Sequence, residues 1–238
     1  MSRNVRRYVW PLILLLLPLV AQAGIVISGT RIIYPADKRE ITLQLNNTGD
    51  SPALVQSWID SGNTLSQPEQ EKAPFIILPP VSRVEAKSGQ TLRIMYNGSP
   101  LPQDRESLYW FNLLEIPPQP DVKNNENYLQ FAVRSRLKFF FRPAGLKADP
   151  AKVAEQLQWH LESSSEPVLA VHNPTPYHVT LSSVRLAGHE LSGDMVAPFA
   201  NLRLPLPAKL RVPLPQTLNF SLINDYGAQQ SHQIALNK

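Results

Sequence analysis

The chain has 238 residues, no cysteine and a formal charge of +4. Without thiols it has neither a disulfide framework nor a thiolate metal ligand, so it must be stabilised by ordinary apolar cores, and a chain of about 200 residues can build one large core or two smaller ones. No basic stripe with interleaved aromatics follows the first few residues, which leaves nucleic-acid binding without support.

Residues 1–23 read MSRNVRRYVWPLILLLLPLVAQA: Arg3, Arg6 and Arg7, then an apolar run, then Ala21-Gln22-Ala23. This order predicts a cleavable secretory signal, because the apolar run, about a dozen residues long, is too short to span a bilayer and ends at an A-x-A site. Its removal takes away three of the 23 Lys and Arg and no acid, leaving +1 on residues 24–238. No later run is long enough to span a membrane, so a soluble exported product without membrane insertion is expected.

From residue 24 onward the dominant period is two. Ile41, Leu43 and Leu45 alternate; Leu54-Val55 leads to Trp58-Ile59; Leu92, Ile94 and Tyr96 alternate again. Short strands punctuated by Asn, Gly, Asp, Ser and Pro indicate an antiparallel sandwich. The prolines fall between apolar runs, as in Pro79-Pro80 and Pro117-Pro118, and read as strand ends and edge protection. Residues 101–118, LPQDRESLYWFNLLEIPP, predict a turn and then a strand with Leu108, Trp110, Asn112 and Leu114 on one face. Residues 129–143, LQFAVRSRLKFFFRP, place Leu129, Phe131 and Val133 at every second position and then add Arg134, Arg136 and Lys138. The strand pattern stops near residues 143–147, and alternation resumes in QLQWHL, PVLAVHN and LNFSLIN. Two sandwiches joined at that break follow, with residues 150–157 as the best helical candidate.

Catalytic patterns are missing. The five histidines have no metal-ligand spacing, no P-loop, nucleophile elbow or dinucleotide fingerprint occurs, and no feature singles out a carboxylate pair. Neither an enzyme nor a cofactor is expected. Trp58, Trp110 and Trp159 are spaced as core strand residues, which argues against a sugar-binding sandwich with loop aromatics.

Several segments together resemble the periplasmic pilus-assembly chaperones of the chaperone–usher pathway. They are Thr30-Arg31, Leu78-Pro79-Pro80 with Arg83, the 101–118 run, Leu137 to Pro143, Asn173-Pro174-Thr175-Pro176-Tyr177 and Ile223-Asn224-Asp225-Tyr226-Gly227. The resemblance implies an all-β protein of two immunoglobulin-like β-sandwich domains set in an L, with a signal at 1–23, a first domain at 24–143 and a second at 144–238. It implies no enzymatic activity and no cofactor. The implied partners are pilus subunits, bound by donor-strand complementation, and an outer-membrane usher that receives them, with self-association when no subunit is bound. A pilus subunit or adhesin is the alternative, disfavoured by the missing cysteines and by the length.

The resemblance also implies roles for individual residues. The lent strand would cover residues 128–142, with Leu129, Phe131 and Val133 entering the subunit's groove. Arg31 and Lys138 would grip the subunit's C-terminal carboxylate and fix its register, and Glu106, Arg142 and Asp225 would join the two domains. Phe131 is bulkier than the aliphatic residue common at its position, which implies a roomy pocket in the client. Arg134 and Arg136 receive no role and are expected to be surface charges. Strict alternation puts Lys138 on the opposite parity from Leu129, Phe131 and Val133, so either a twist or bulge re-aims the chain between 133 and 138, or the anchor works from the other face near the hinge.

Overall fold

The computed structural model describes residues 24–119, 129–162, 167–207 and 216–236. The expected signal at 1–23 and Tyr128, the first residue of the expected lent strand, lie outside them. The described chain is almost entirely strand. Its first half contains β1 (Ile25–Ile27), β2 (Arg31–Pro35), β3 (Glu40–Asn47), β4 (Ala53–Asp60), β5 (Phe75–Leu78), β6 (Val81–Val84), β7 (Gly89–Tyr96), β8 (Ser107–Ile116) and β9 (Val133–Arg142). These form a four-stranded sheet, β1-β3-β7-β5, facing a five-stranded one, β2-β9-β8-β4-β6.

Alternation explains the first core. Leu43 and Leu45 from β3, Leu92 and Ile94 from β7, Val55 and Ile59 from β4, Phe111 and Leu113 from β8, and Phe139 and Phe141 from β9 meet in one cluster between the sheets. Tyr34 sits among the aromatics, 5.9 Å from Phe141 and 5.7 Å from Phe75, centroid to centroid. Its hydroxyl donates to the Lys38 and Arg39 carbonyls and accepts from the Tyr96 amide, so a fully buried phenol has its polar end satisfied.

After β9, a 3₁₀ turn at Pro150–Lys152, capped by the Asp149 carboxylate on the Ala151 amide, runs into a single helical turn, α1 (Val153–Gln156). The helical candidate at 150–157 is thus real but short, because Leu157 has extended backbone and leads straight into strand. The second half adds β10 (Gln158–Glu162), β11 (Val168–His172), β12 (Val179–Leu186), β13 (His189–Ser192), β14 (Met195–Val196), β15 (Asn201–Pro205), β16 (Gln216–Ile223) and β17 (Gln229–Leu236). They pair as β10-β11-β15 and β13-β12-β16-β17, with β14 beside β12. Leu169, Val171, Val184, Leu186, Leu218 and Phe220 form a second, separate core, against which Trp159 packs.

A polar seam joins the two sandwiches. Arg142, last residue of β9, donates from Nε to Glu106 at 2.7 Å and from both terminal nitrogens to Asp225 at 2.7 and 3.0 Å. Burial alone would lower the Arg142 pKa, but the bond to Asp225 and the charge of Glu106 raise it above its ordinary value. Glu106 spends its other oxygen on the His178 amide at 2.8 Å, and the Glu106 amide donates to the Pro176 carbonyl. The loop that presents Asp225 is closed by Asn224, whose side-chain oxygen accepts the Tyr226 and Ala228 amides. Gly227 in that loop has φ +82°, and a Cβ there would collide with the Thr30 side chain. Phe140 is almost fully buried yet outside the first core; it faces His178 of the second domain at 5.4 Å.

Two expectations follow. Phe139→Ala removes a fully buried ring from the first core and should cost about 3–5 kcal/mol of first-domain stability, read in urea by the fluorescence of Trp58 and Trp110. Arg142→Ala leaves the buried Glu106 carboxylate without its guanidinium and should cost about 3–5 kcal/mol of domain docking, and Arg142→Lys should not restore it, because one ammonium cannot serve two carboxylates in plane. A distance distribution between spin labels on the two domains would broaden in both variants; an unchanged distribution in Arg142→Ala would show that the clasp does not set the geometry.

Candidate functional site

Strand β9 has two different halves. From Lys138 to Arg142 it is an interior strand, paired with β8 on one side and in parallel with β2 on the other, Arg31 opposite Lys138. Among the described residues it pairs from Val133 to Leu137 with β8 alone, so the backbone groups on its other edge have no strand partner there. An edge of this kind is a template for another strand.

Three large apolar side chains approach this open edge from outside. Leu129 is 78 % exposed, Phe131 68 % and Val133 56 %. Single exposed apolar residues are ordinary on protein surfaces, but three at alternate positions beside an open edge form a surface that is both unpaired and unburied.

The pairing of β9 with β8 runs without interruption from Glu115–Val133 to Ser107–Phe141. No bulge re-aims the chain. Val133, Ser135 and Leu137 therefore share the parity of the core residues Phe139 and Phe141, while Arg134, Arg136, Lys138, Phe140 and Arg142 line the opposite, outer face. Of the alternatives left open by the sequence, a bulge is thus ruled out: Lys138 lies on the other face, near the hinge.

Arg31 and Lys138 meet at the mouth of the seam. The Arg31 Nη1 donates to the Ile223 carbonyl at 2.9 Å, its guanidinium lies 5.9 Å from the Phe140 ring centroid, and its buried Nε has no hydrogen-bond partner among the described residues. Among the described residues the Lys138 ammonium reaches only the Thr180 hydroxyl, at 3.4 Å. Neither cation takes part in a salt bridge among the described residues. Burial lowers the Lys138 pKa, and the neighbouring Arg31 lowers it further against a weaker pull from Asp194. Arg31 is lowered as well, chiefly by burial, with Asp225 and Glu106 opposing. Two half-buried cations with spare donors have the chemistry to accept an anion, and a planar carboxylate suits a guanidinium fork beside an ammonium. Arg31 also borders a cavity of about 200 Å³ that includes Tyr177, Thr180 and Ile223.

Arg134 and Arg136 are not the surface charges expected from the sequence. Arg136 holds the Asp60 carboxylate through Nη2 at 2.6 Å and Nε at 3.2 Å, and its guanidinium stacks 4.2 Å from the Trp110 ring centroid. Arg134 donates to the Asn112 amide oxygen, to the Ser66 hydroxyl and to the Thr64 carbonyl, and lies over Trp58 at 4.7 Å. Asp60 is fully buried and also accepts from the Asn112 amide, the Ser66 hydroxyl and the Gly62 amide. Burial would push its carboxyl up, but the bonds from Arg136, Asn112 and Gly62 outweigh burial and hold it below the usual range. Trp58 is buried and Trp110 half-buried, but neither joins the cluster between the sheets: both lie on the outer face under guanidinium groups. Asp60 and Asn112 escaped the sequence reading. The one local signal was an acid ending an apolar strand, Trp58-Ile59-Asp60, in a chain with two arginines spaced two apart elsewhere.

Among the described residues there is no group of acids and histidines able to hold a metal, and no helix is long and apolar enough to cross a membrane.

Comparison with known proteins agrees with this architecture over nearly its whole length. Residues 24–147 match the family of the pili and flagellar-assembly chaperone PapD N-terminal domain, and residues 152–234 match that of the pili assembly chaperone PapD C-terminal domain. A curated relative, chaperone protein HifB of Haemophilus influenzae, is 45 % identical over 215 residues, covering 88 % of this chain and 87 % of HifB. Among solved structures, the Pseudomonas aeruginosa CupB2 chaperone superposes with a TM-score of 0.74 at 40 % identity, covering 89 % of this chain and 100 % of that one. The Salmonella enterica SafB chaperone, solved in complex with SafA pilin, gives a TM-score of 0.75 at 31 % identity over 90 % of this chain and 96 % of that one. The match across both sandwiches disfavours the alternative of a pilus subunit, and the relatives belong to a family of chaperones rather than enzymes. With two sandwiches joined by a charged seam and both matched in order, the chain belongs to the PapD family of pilus-assembly chaperones.

Proposed function

We propose that this fimbrial chaperone is exported to the periplasm by the signal at residues 1–23, captures pilus subunits by lending them its open strand edge, and hands them to an outer-membrane usher. The observation that carries this reading is the asymmetry of β9: an unpaired edge at 133–137, flanked by exposed Leu129, Phe131 and Val133, runs directly into Lys138 and the unneutralised Arg31. An incomplete subunit sandwich would gain main-chain bonds from the edge and fill its groove with the three side chains. Burying them is worth about 1.5–3 kcal/mol each, of order 5–9 in total before ordering costs.

Arg31 and Lys138 supply what the apolar contacts lack. A strand added to an edge can slip, and a slip of two residues keeps every side chain on the correct face while moving it to the wrong pocket. Gripping the subunit's C-terminal carboxylate fixes the register at one end. Thr180 and the Ile223 carbonyl hold the two cations in place from the second domain, which accounts for the site lying where the domains meet. Glu106, Arg142 and Asp225 keep those domains docked and thereby keep the receptor assembled. Delivery to an usher rests on family membership alone.

Co-purification from the periplasm with the tagged chain would identify the client. Lys138→Ala and Arg31→Ala should then leave the thermal unfolding of the free chaperone nearly unchanged while reducing subunit capture by about tenfold or more, as expected for loss of a desolvated charge-assisted contact. Normal capture by both variants would refute the anchor.

Phe131→Glu should abolish capture with the chaperone still folded, since the side chain is exposed. An unfolded variant would place Phe131 in the chaperone's own stability instead.

The lowered Lys138 pKa carries a pH dependence. A bound carboxylate raises that pKa toward or above its ordinary value, so the complex holds the proton more tightly than the free chaperone does. Affinity is therefore complete below the depressed pKa of the free state and falls as pH rises through it. Lys138→Arg should flatten the alkaline limb of an affinity–pH profile, because a guanidinium stays charged there.

A further inference from the structure

An exposed edge strand is ordinarily blunted by long charged side chains, which hang over the free backbone and keep other strands away. The open half of β9 carries two such side chains, Arg134 and Arg136, on a face that flanks the edge. Both turn the other way. Strand order places β8 and then β4 on the side of β9 opposite the open edge. Arg136 reaches across β8, over Trp110, to Asp60 on β4, and Arg134 reaches over Trp58 to Asn112, Ser66 and the Thr64 carbonyl. Both guanidinium groups converge on Asp60, an aspartate with no exposure: Arg136 is bonded to it at 2.6 Å, Arg134 lies 3.8 Å away, and its oxygens also accept from Asn112, Ser66 and Gly62.

We infer that Asp60 is a positioning residue for strand donation: by folding Arg134 and Arg136 back onto Trp58 and Trp110, it clears the backbone edge at residues 133–137 for an incoming strand. The two cations thereby lose the function they have on most edges and become cross-braces. They tie the outer faces of β9, β8 and β4 together, so the half-paired strand is held from its face instead of from its free side. The same retraction keeps positive charge away from the apolar groove of a bound subunit, leaving Arg31 and Lys138 as the cations that meet it.

This inference rests on the donor-strand reading, and its test separates the two. The probe is the subunit that co-purifies with the wild-type chain, unfolded in guanidinium and diluted into each chaperone variant, with the capture rate followed by stopped flow. Asp60→Asn, which keeps the shape and removes the charge, should slow capture by about three- to tenfold while leaving amide-exchange protection of the β8–β9 pairing as in wild type. The triple variant Asp60→Asn, Arg134→Gln, Arg136→Gln, which has no cations to release over the edge, should restore the rate to within about twofold of wild type. A purely structural role for Asp60 predicts that the triple variant is as slow as the single one, and that result overturns the proposal.

Arg134→Gln alone provides a test that does not require altering the buried carboxylate. Asp60 keeps Arg136, and the capture rate should stay within about twofold of wild type; a large loss would mean that Arg134 itself contacts the subunit. Phe131→Glu is run alongside. If Phe131→Glu captures normally, the donor-strand reading fails; if it is inactive while Asp60→Asn captures at the wild-type rate, only the inference about Asp60 fails.

Discussion

The structure turns on a single strand that belongs to two environments. From Lys138 onward β9 is interior, hydrogen-bonded on both sides, with Phe139 and Phe141 in the first core and Phe140 against the second domain. Before Lys138 it is an edge. Because the register against β8 is unbroken, the two parts are mechanically one element, and anything paired to the first part is aligned with whatever is held at the second. On the proposed reading this rigidity makes a carboxylate anchor useful, since an anchor on a separate loop would fix the subunit's tail without fixing its register.

The outer face of β9 carries five consecutive alternate residues with three different fates. Arg134 and Arg136 are paired inward to Asp60 and Asn112, Lys138 is left with one hydroxyl, and Phe140 and Arg142 are covered by the second domain. A run of cations on one face of one strand would be repulsive if all were alike. It is sustained because one buried acid serves the first pair and two acids serve the last member, which leaves the uncompensated charge concentrated at Arg31 and Lys138.

The sandwich class was legible because it depends on a local quantity, the period of two. The alternating sets in β3 and β7 are the ones that meet in the core, and the break near residues 143–147 separates two independent clusters. The face on which Trp58 and Trp110 lie was not legible, for a physical reason. A tryptophan at an alternating position looks apolar from its neighbours alone, while its use as a platform depends on arginines 76 and 26 positions further along the chain, at Arg134 and Arg136. Asp60 was invisible on the same grounds, since nothing local distinguishes a buried acid with partners on β8 and β9 from a solvated one at a strand end. The residues around the hinge were recognised as a pattern before they had an explanation; Glu106 with Arg142, and Gly227 with Thr30, now show contacts that depend on those residue types together.

The seam and Arg31 share acids without sharing bonds. Asp225 and Glu106 attract Arg31 through space, yet their hydrogen bonds go to Arg142 and the His178 amide. Arg31 is thus kept charged at a distance while its Nε stays unpartnered. A carboxylate that arrives there has no salt bridge to displace, so binding need not spend energy breaking the clasp, and release need not rebuild it. On the proposed reading, domain geometry can then remain constant through capture and release: if Arg31 instead carried the interdomain bridge, every subunit bound would loosen the frame that holds Lys138 opposite it.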